Sequence, residues 1–147
     1  MTTRARQRSN WIFVDTSAYY AAAAENDENH DTAVVILSAF ERERVRLFTT
    51  LYVLAELHAL VISRRRNPRL ALTLLRNIES GSTTIIPVTS RDQALARIIL
   101  AQYDDKLYSL TDALSFAIME RLGIFRVFTF DENFTQHGLN VLTPTTL

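Results

Sequence analysis

The sequence has no cysteine, no net charge and no long hydrophobic run. Its sixteen basic residues balance sixteen acidic ones over 147 positions. The lack of cysteine excludes disulfides and thiolate metal sites, and we expect a cytoplasmic location. Because the charges balance, composition alone predicts no partner, and nucleic-acid binding would need a local basic patch.

Targeting, membrane and linker segments are also missing. Residues 1–10 are polar and basic, with Arg4, Arg6 and Arg8, and they lack the apolar centre of a signal peptide. The longest apolar stretch, residues 51–62, is interrupted by Glu56 and His58 and is too short to span a bilayer. We find no repeat or inter-domain linker. We therefore expect a flexible basic arm over residues 1–10 and a single domain over residues 11–147.

Short apolar runs alternate with segments of helical periodicity. Strands are predicted at residues 11–14, 47–49, 84–88, 127–130 and 139–142, and helices at about 16–24, 33–44, 51–63, 68–80, 90–102 and 110–122. Thr50 and Ser109 are predicted helix caps, and Ser90 with Gln93 is a predicted capping box. Residues 132–138 are predicted to be a polar loop. This alternation predicts an α/β fold with a mostly parallel sheet covered by helices on both faces.

Four acidic residues occupy positions where such a fold places ligands. Asp15 and Asp131 follow apolar strands, Asp112 lies in the first turn of a helix, and Glu56 lies on a third helix among apolar neighbours. Since ligands bind at the carboxyl ends of parallel strands, all four can meet at one edge of the sheet. Each also has a structural explanation: Asp15 as a helix cap, Asp112 as a charge favoured by the helix dipole, and Asp131 as a turn residue.

Glu56 is the most informative of the four, because a buried carboxylate needs a cationic partner and none lies within one helical turn. Carboxylates that converge repel one another by roughly 3 kcal/mol per pair at about 6 Å and an effective dielectric of about 20. A cluster of this kind therefore needs protons or a cation, and oxygen ligands favour Mg²⁺ or Mn²⁺ over zinc. Such a metal can bind a phosphate and activate water.

Four segments of the chain resemble a PIN-domain ribonuclease, most of all the VapC-like toxins of toxin–antitoxin pairs. They are Ile-Phe-Val-Asp-Thr-Ser at residues 12–17, Glu56, Leu-Thr-Asp-Ala at residues 110–113, and Phe-Thr-Phe-Asp-Glu-Asn-Phe at residues 128–134. The resemblance covers the chain from Trp11 to the last strand. It implies an α/β/α sandwich, an acidic pocket that binds Mg²⁺ or Mn²⁺, and endonucleolytic cleavage of RNA. It also implies a homodimer and a small antitoxin protein that masks the active site.

The resemblance assigns roles to individual residues. Asp15, Glu56, Asp112 and Asp131 match the catalytic acidic quartet, and Asp15, Asp112 and Asp131 are the expected metal ligands. Thr16 or Ser17 would hold a water or a phosphate oxygen, while Thr111 and Thr129 would line the pocket. Some family members carry a further acid at the position of Asn133, whose amide is a poorer metal ligand, so one and two metal ions both stay open.

RNA binding needs basic residues, and the densest group is Arg64, Arg65 and Arg66 with Arg69 nearby. The arm with Arg4, Arg6 and Arg8 is a second candidate. Both groups can instead be solvated surface. Phe13, Tyr19, Tyr20 and Phe40 are expected in the core or at a subunit surface.

Other function classes fit the residues less well. An aspartyl-nucleophile phosphatase needs a second aspartate where Ser17 stands, and a receiver domain needs paired acids after the first strand. A PIN-like fold that binds RNA or protein without catalysis remains an alternative. Within the nucleases, a structure-specific 5′-nuclease or an RNA-processing enzyme also remains open.

Overall fold

Strands and helices alternate along the chain in the predicted order. The computed structural model describes residues 9–147, and within them there are five strands and seven helices. The elements are β1 Trp11–Val14, α1 Thr16–Ala23, α2 His30–Glu43, β2 Arg46–Thr50, α3 Leu51–Arg65, α4 Pro68–Ser80, β3 Thr84–Ile86, α5 Ser90–Gln102, α6 Leu110–Leu122, β4 Arg126–Phe128, α7 Glu132–Gln136 and β5 Asn140–Val141.

The five strands form one sheet in the order β3-β2-β1-β4-β5, and every neighbouring pair is parallel. The chain builds outward from β1 through β2 to β3, then returns to the other side of β1 with β4 and β5. The strand order therefore reverses between β1 and β4. In open α/β sheets the crevice at such a reversal, outside the carboxyl ends of the strands, is the usual ligand site.

Both faces of the sheet are covered by helices, as the continuous apolar run of β1 predicts. On one face Ile12 and Val14 pack with side chains from α1 and α2. On the other face Phe13 packs with side chains from α5 and α6. The middle of α6 is enclosed, since every residue from Asp112 to Met119 is buried. A third cluster joins α1, α3 and α4 around Tyr20 and Leu57.

Several helix ends form as the local sequence predicts. Thr50 ends β2 and caps α3 by accepting a hydrogen bond from the backbone nitrogen of Val53 at 3.2 Å. Ser109 caps α6 in a reciprocal capping box with Asp112. Gly123 ends α6 with a φ of 66°, a left-handed conformation that glycine adopts without strain.

The capping box predicted from Ser90 and Gln93 is wrong by one residue. Thr89 is the cap of α5, and Asp92 is its reciprocal partner. Thr89 and Asp92 have the same local spacing and form both reciprocal bonds. The carboxylate of Asp92 also accepts two hydrogen bonds from Arg121, at 2.8 and 2.9 Å, which hold it in this position.

Two features at the end of β4 also differ from the prediction. The strand ends at Phe128 because the next backbone nitrogens leave the ladder: those of Phe130 and Asp131 donate to the hydroxyls of Ser17 and Thr129. The predicted polar loop then contains the short helix α7, capped by the side chain of Asp131.

The remaining differences are shifts of element ends. Helix α2 begins at His30, α3 extends to Arg65, β3 stops before Pro87, and β5 has only two residues. Residues 1–8 of the predicted arm lie outside the described residues. Of the last two residues assigned to the arm, Ser9 accepts a hydrogen bond from Arg126, and Asn10 accepts one from the backbone nitrogen of Arg46. Within residues 9–147, no helix has both the length and the apolar character needed to cross a membrane.

We predict that Arg121→Met destabilises the fold by about 2–4 kcal/mol, because a carboxylate that is only 2% exposed would lose its cationic partner. Burial alone would raise the pKa of Asp92, but the hydrogen bonds from Arg121 hold that pKa below its ordinary value. Urea unfolding at pH 7 measures the change. Arg91→Met, an exposed arginine on the same helix as Asp92, is the control, and equal effects of the two substitutions would contradict the prediction.

Candidate active site

The site forms where the chain leaves β1 and β4, the two strands at which the sheet reverses its order. Asp15 follows β1 directly, and its backbone nitrogen donates to the carbonyl of Phe128 at 3.1 Å. Thr129 and Asp131 follow β4. The sheet itself therefore brings Asp15 and Asp131 to one edge, as predicted.

One oxygen of the Asp15 carboxylate is fully occupied by hydrogen bonds. Its Oδ2 accepts from the hydroxyl of Thr129 at 2.9 Å, from the hydroxyl of Ser17 at 3.0 Å and from the backbone nitrogen of Ser17 at 3.4 Å. Each hydroxyl in turn accepts a backbone N–H from the segment after β4. Ser17 and Thr129 thus fix both the orientation of Asp15 and the path of the chain towards Asp131.

Among residues 9–147, the other oxygen of Asp15 has no hydrogen-bond partner. This Oδ1 is buried, in a residue that is only 2% exposed. Burial raises the pKa of Asp15 from its ordinary 3.8 to about 6, and the hydrogen bonds from the backbone, Thr129 and Ser17 offset only part of that effect. A buried oxygen without a partner is a costly arrangement that a bound cation would relieve.

Asp112 and Asp131 are joined through Asn133. The Asn133 side-chain nitrogen donates to Oδ2 of Asp112 at 3.0 Å, and its backbone nitrogen donates to Oδ1 of Asp131 at 2.9 Å. Oδ2 of Asp112 also accepts from the backbone nitrogen of Ser109 at 3.0 Å. Burial raises the pKa of Asp112, and the nearby charges of Asp131 and Glu56 raise it further. Asn133 therefore orients two of the acids.

Glu56 reaches the same place but is not buried, so this part of the sequence argument is wrong. It is half-buried, and its helical neighbours Tyr52 and Ala59 are exposed. Glu56 borders the apolar side of α3 and faces an open cavity, where water can solvate its carboxylate. Glu56 belongs to the site because it lines this cavity, and not because its charge is buried without a partner.

An open cavity of about 260 Å³ holds three of the four predicted acids. Its lining residues are Asp15, Thr16, Ser17, Tyr20, Asp27, Glu28, Asn29, Glu56, Leu60, Arg64, Phe130 and Asp131. Asp112 does not line it. Among the residues that sequence reasoning missed here are Asp27, Glu28 and Asn29, and the only sequence signal was the acidic composition of the loop after α1. Tyr20, predicted as a core or interface aromatic, is 7% exposed yet reaches the cavity wall.

The two predicted pocket threonines on helices differ in position. Thr16 lines the cavity, and its hydroxyl donates to the carbonyl of Val53 at 3.5 Å, which links the start of α1 to α3. Thr111 is half-buried beside Asp112, and its carbonyl accepts the hydroxyl of Ser115 at 2.9 Å. Thr111 is not among the residues that line the cavity.

The acidic side chains of the site supply the oxygen ligands that a hard divalent cation such as Mg²⁺ prefers. The acids supply only oxygen donors, and Asp15 offers a buried oxygen with no other partner. Within residues 9–147, however, no three His, Asp or Glu side chains already stand together as a ligand set. Asp15, Asp131 and Glu56 would therefore need side-chain rotation to hold one ion, while Asp112 could keep its Oδ2 bond with Asn133 and offer its other oxygen.

The predicted RNA-binding arginines are exposed at the end of α3, but each has a different environment. The guanidinium of Arg64 lies over the ring of Tyr20, 5.2 Å from its centroid, and Arg64 lines the acidic cavity. Arg65 donates a hydrogen bond to the side chain of Asn26. Arg66 ends the helix with a φ of 49°.

We predict that Asp15→Asn stabilises the metal-free protein at pH 7, by as much as about 3 kcal/mol, because it removes a buried charge whose pKa is raised to about 6. Between about pH 4 and pH 6, the folded protein binds more protons at Asp15 than the unfolded chain does, because the pKa is higher in the folded state. The stability of the unsubstituted protein therefore falls as pH rises from about 4 through about 6. Urea unfolding in EDTA at pH 4.5 and pH 7 measures the difference.

The exposed Asp104→Asn substitution is the control for this comparison, and we expect no change from it. A variant at Asp15 that is less stable than the unsubstituted protein at both pH values would contradict the prediction.

Comparisons with known proteins place the sequence and the fold of this chain in one family. The model of the PIN domain family matches residues 12–139. The 23S rRNA-specific endonuclease VapC20 of Mycobacterium tuberculosis is 31% identical over 133 residues, which cover 90% of this chain and 98% of VapC20. The crystal structure of that protein, described as a Sarcin-Ricin loop cleaving toxin, superposes with a TM-score of 0.81 at 30% identity, covering 90% of this chain and 99% of VapC20.

Two further solved structures share the fold at 19% identity. FitAcB from Neisseria gonorrhoeae has a TM-score of 0.66, with 92% of this chain and 99% of that chain covered. VapBC2 from Rickettsia felis, bound to a DNA fragment from its promoter, has a TM-score of 0.63, with 90% and 97% covered. With the family model matched over nearly the whole domain and a relative above 30% identity over its full length, this chain belongs to the PIN-domain family.

Proposed function

We propose that this protein is an endoribonuclease that needs Mg²⁺ or Mn²⁺, and that it is the toxin of a toxin–antitoxin pair. The observation that carries the proposal is the Asp15 carboxylate, with one oxygen saturated by hydrogen bonds and the other buried with no partner in the part of the chain that the structure describes. It stands in an acid-lined cavity at the point where the sheet reverses. The relative VapC20 is named as an rRNA-specific endonuclease, which agrees with this chemistry.

The cost of the site favours catalysis over a purely binding role. A pKa of about 6 for Asp15 means that ionising this group in the folded protein costs about 3 kcal/mol relative to water. Repulsion from Asp112 is part of that cost, and the charges of Asp131 and Glu56 in turn raise the pKa of Asp112. A module that only binds RNA gains nothing from four converging acids, because they repel its ligand.

Asp15 and Asp131 would hold the metal from the cavity wall, with Asp112 and Glu56 completing the acidic quartet. When bound, the metal would polarise the phosphate and lower the pKa of a water that attacks it. Ser17 and Thr129 hold Asp15 in place, since both hydroxyls already donate to Oδ2. Ser17 thus serves to position Asp15. Thr16 lines the cavity and is the better candidate for contact with water or phosphate.

Asn133 would position Asp112 and Asp131 and leave the metal to the carboxylates. Its amide nitrogen points to Asp112, and the same nitrogen donates to the carbonyl of Leu107 at 3.2 Å. This arrangement favours one tightly held metal ion over two. Thr111 lies next to Asp112 in the first turn of α6, so it would affect the site by helping to position Asp112.

The proposed partners follow from the family and from the relative. VapC20 is described as a toxin that cleaves the Sarcin-Ricin loop, so a structured ribosomal RNA is a reasonable first substrate class for this chain. A small antitoxin that covers the cavity, a homodimer and a cytoplasmic location complete the proposal.

We predict that purified protein cleaves RNA with Mg²⁺ or Mn²⁺, but not with EDTA. Asp15→Asn and Asp112→Asn should each lower the rate about 100-fold or more, because several kcal/mol of transition-state stabilisation depend on the acids and their cation. Structured and single-stranded RNAs should be tested side by side, with cleavage followed on denaturing gels.

The exposed acid Asp105→Asn is the matched control and should retain full activity. If the variants at Asp15 and Asp112 cleave as fast as the control, the acids are structural and the activity comes from a contaminant. Calorimetric titration with Mn²⁺ distinguishes the nuclease from a non-catalytic binding module. If no Mn²⁺ binds at millimolar concentration, the binding module is favoured.

We predict that replacing Arg64, Arg65 and Arg66 by Gln weakens RNA binding and lowers the slope of log affinity against log salt by as much as about 3, roughly one per lost phosphate contact. A triple replacement of Arg42, Arg44 and Arg46 is the control, because these residues lie at the amino end of the strands, where the backbone nitrogen of Arg46 bonds Asn10. It removes the same charge and should leave the slope unchanged. Equal slopes for the two triple variants would refute RNA contact at the end of α3.

A further inference from the structure

One side of α3 forms a wall of the cavity from end to end. Glu56, Leu60 and Arg64 are spaced i, i+4 and i+8, so they lie on one face of the helix, and all three line the cavity. Their spacing corresponds to roughly 12 Å along the helix axis. This face of α3 therefore has an acidic end at Glu56 and a basic end at Arg64, and Asp27 and Glu28 from the loop after α1 also line the cavity.

The ring of Tyr20 holds the basic end in place. Tyr20 is 7% exposed and packs in a cluster with Leu57 and Val61, so its ring is fixed by the core. The guanidinium of Arg64 lies 5.2 Å from the centroid of that ring. A stacked guanidinium keeps its N–H groups in the plane available for hydrogen bonds.

The charge of Arg64 is not neutralised within the described part of the chain. The ion pairs among residues 9–147 join Lys106 to Asp105 and Arg121 to Asp92. Arg64 takes part in neither, although Asp27 and Glu28 line the same cavity. Arg65 differs, because its guanidinium is engaged by Asn26. Arg64 is thus a cation that lies over Tyr20 at the cavity and takes part in neither of these ion pairs.

An RNA strand entering this cavity meets mostly negative charge. Five carboxylates line it, and Arg64 is the single cation among its described lining residues. A metal at the acidic end can serve the phosphate that is cleaved, but a neighbouring phosphate of the same strand also needs a positive partner. Arg64 lies roughly 12 Å along the helix axis from Glu56, so it can reach a phosphate other than the one that is cleaved.

We propose that Arg64, stacked on Tyr20, binds a phosphate adjacent to the one that is cleaved and so sets the position of the RNA strand along the cavity. The inference rests on the proposed nuclease function, and it names the residue that aligns the substrate. Arg65 and Arg66 contribute general attraction, whereas Arg64 contacts one defined phosphate.

The test pairs protein variants with RNAs in which single phosphates are replaced by neutral methylphosphonates. Arg64→Ala should lower kcat/KM about tenfold or more, the loss expected for one charge-assisted hydrogen-bonded contact. One methylphosphonate next to the cleavage site should cause a similar loss with the unsubstituted protein and little further loss with Arg64→Ala. Arg65→Ala should show no such coupling to any single position.

A binding measurement keeps the inference separate from the proposed function. Fluorescence anisotropy of the same RNAs with the Asp15→Asn protein, with and without Arg64→Ala, reports the contact without cleavage. Coupling to a single phosphate in this experiment supports the contact even if no condition gives cleavage. Tyr20→Leu should reduce that coupling while Arg64 keeps its charge, because the guanidinium loses its stacking partner.

Two results would overturn the inference. The first is a loss with Arg64→Ala that is the same for every methylphosphonate position, which would make Arg64 one more unspecific cation. The second is unchanged RNA binding with tighter Mn²⁺ binding in Arg64→Ala, which would make Arg64 a counter-ion for the acids.

Discussion

The burial of one carboxylate, Asp15, is the constraint on which the rest of the site depends. Asp15 sits where β1 ends, with its backbone nitrogen still bonded to β4. Two hydroxyls, from Ser17 and Thr129, hold one of its oxygens and also receive the N–H groups of Phe130 and Asp131. These bonds end β4, turn the chain and place Asp131. A single polar network therefore links the central pair of strands to the geometry of the cavity, and within the described part of the chain it leaves the other carboxylate oxygen without a hydrogen bond.

The positions of Asp15, Asp112 and Asp131 were predictable because each depends on local rules. Two follow apolar strands in a parallel sheet, and the third is the reciprocal partner of a serine cap. Residues fixed by distant contacts were not predictable in this way. The buried ion pair of Asp92 depends on Arg121, 29 residues further along the chain. The loop with Asp27 and Glu28 joins the cavity only because α1 and α3 pack side by side, and no local pattern encodes that packing.

Glu56 illustrates the limit of periodicity as an argument. Its neighbours along the helix are apolar, which predicts burial, yet the side of α3 that carries Glu56, Leu60 and Arg64 faces an open cavity. Even Tyr52, one helical turn before Glu56, is partly exposed to solvent. Periodicity identifies which residues share a face of a helix, but only the tertiary arrangement decides whether that face meets the core or a cleft. The inclusion of Glu56 in the site is therefore supported by a different observation from the one that suggested it.

The arrangement also implies a conflict between holding a metal and holding RNA. Carboxylates that converge on a cation repel every phosphate that is not bound to that cation, and the repulsion weakens only over about 8–10 Å at physiological salt. A cavity lined by acids along its whole length would expel a strand that extends beyond the reacting bond. Arg64 lies about two helical turns from Glu56, on a ring fixed by the core, and outside both ion pairs of residues 9–147. In the arrangement we propose, it gives the strand a second attachment point without neutralising the acids, so the spacing of charges along α3 would matter more for RNA binding than the net charge of the protein.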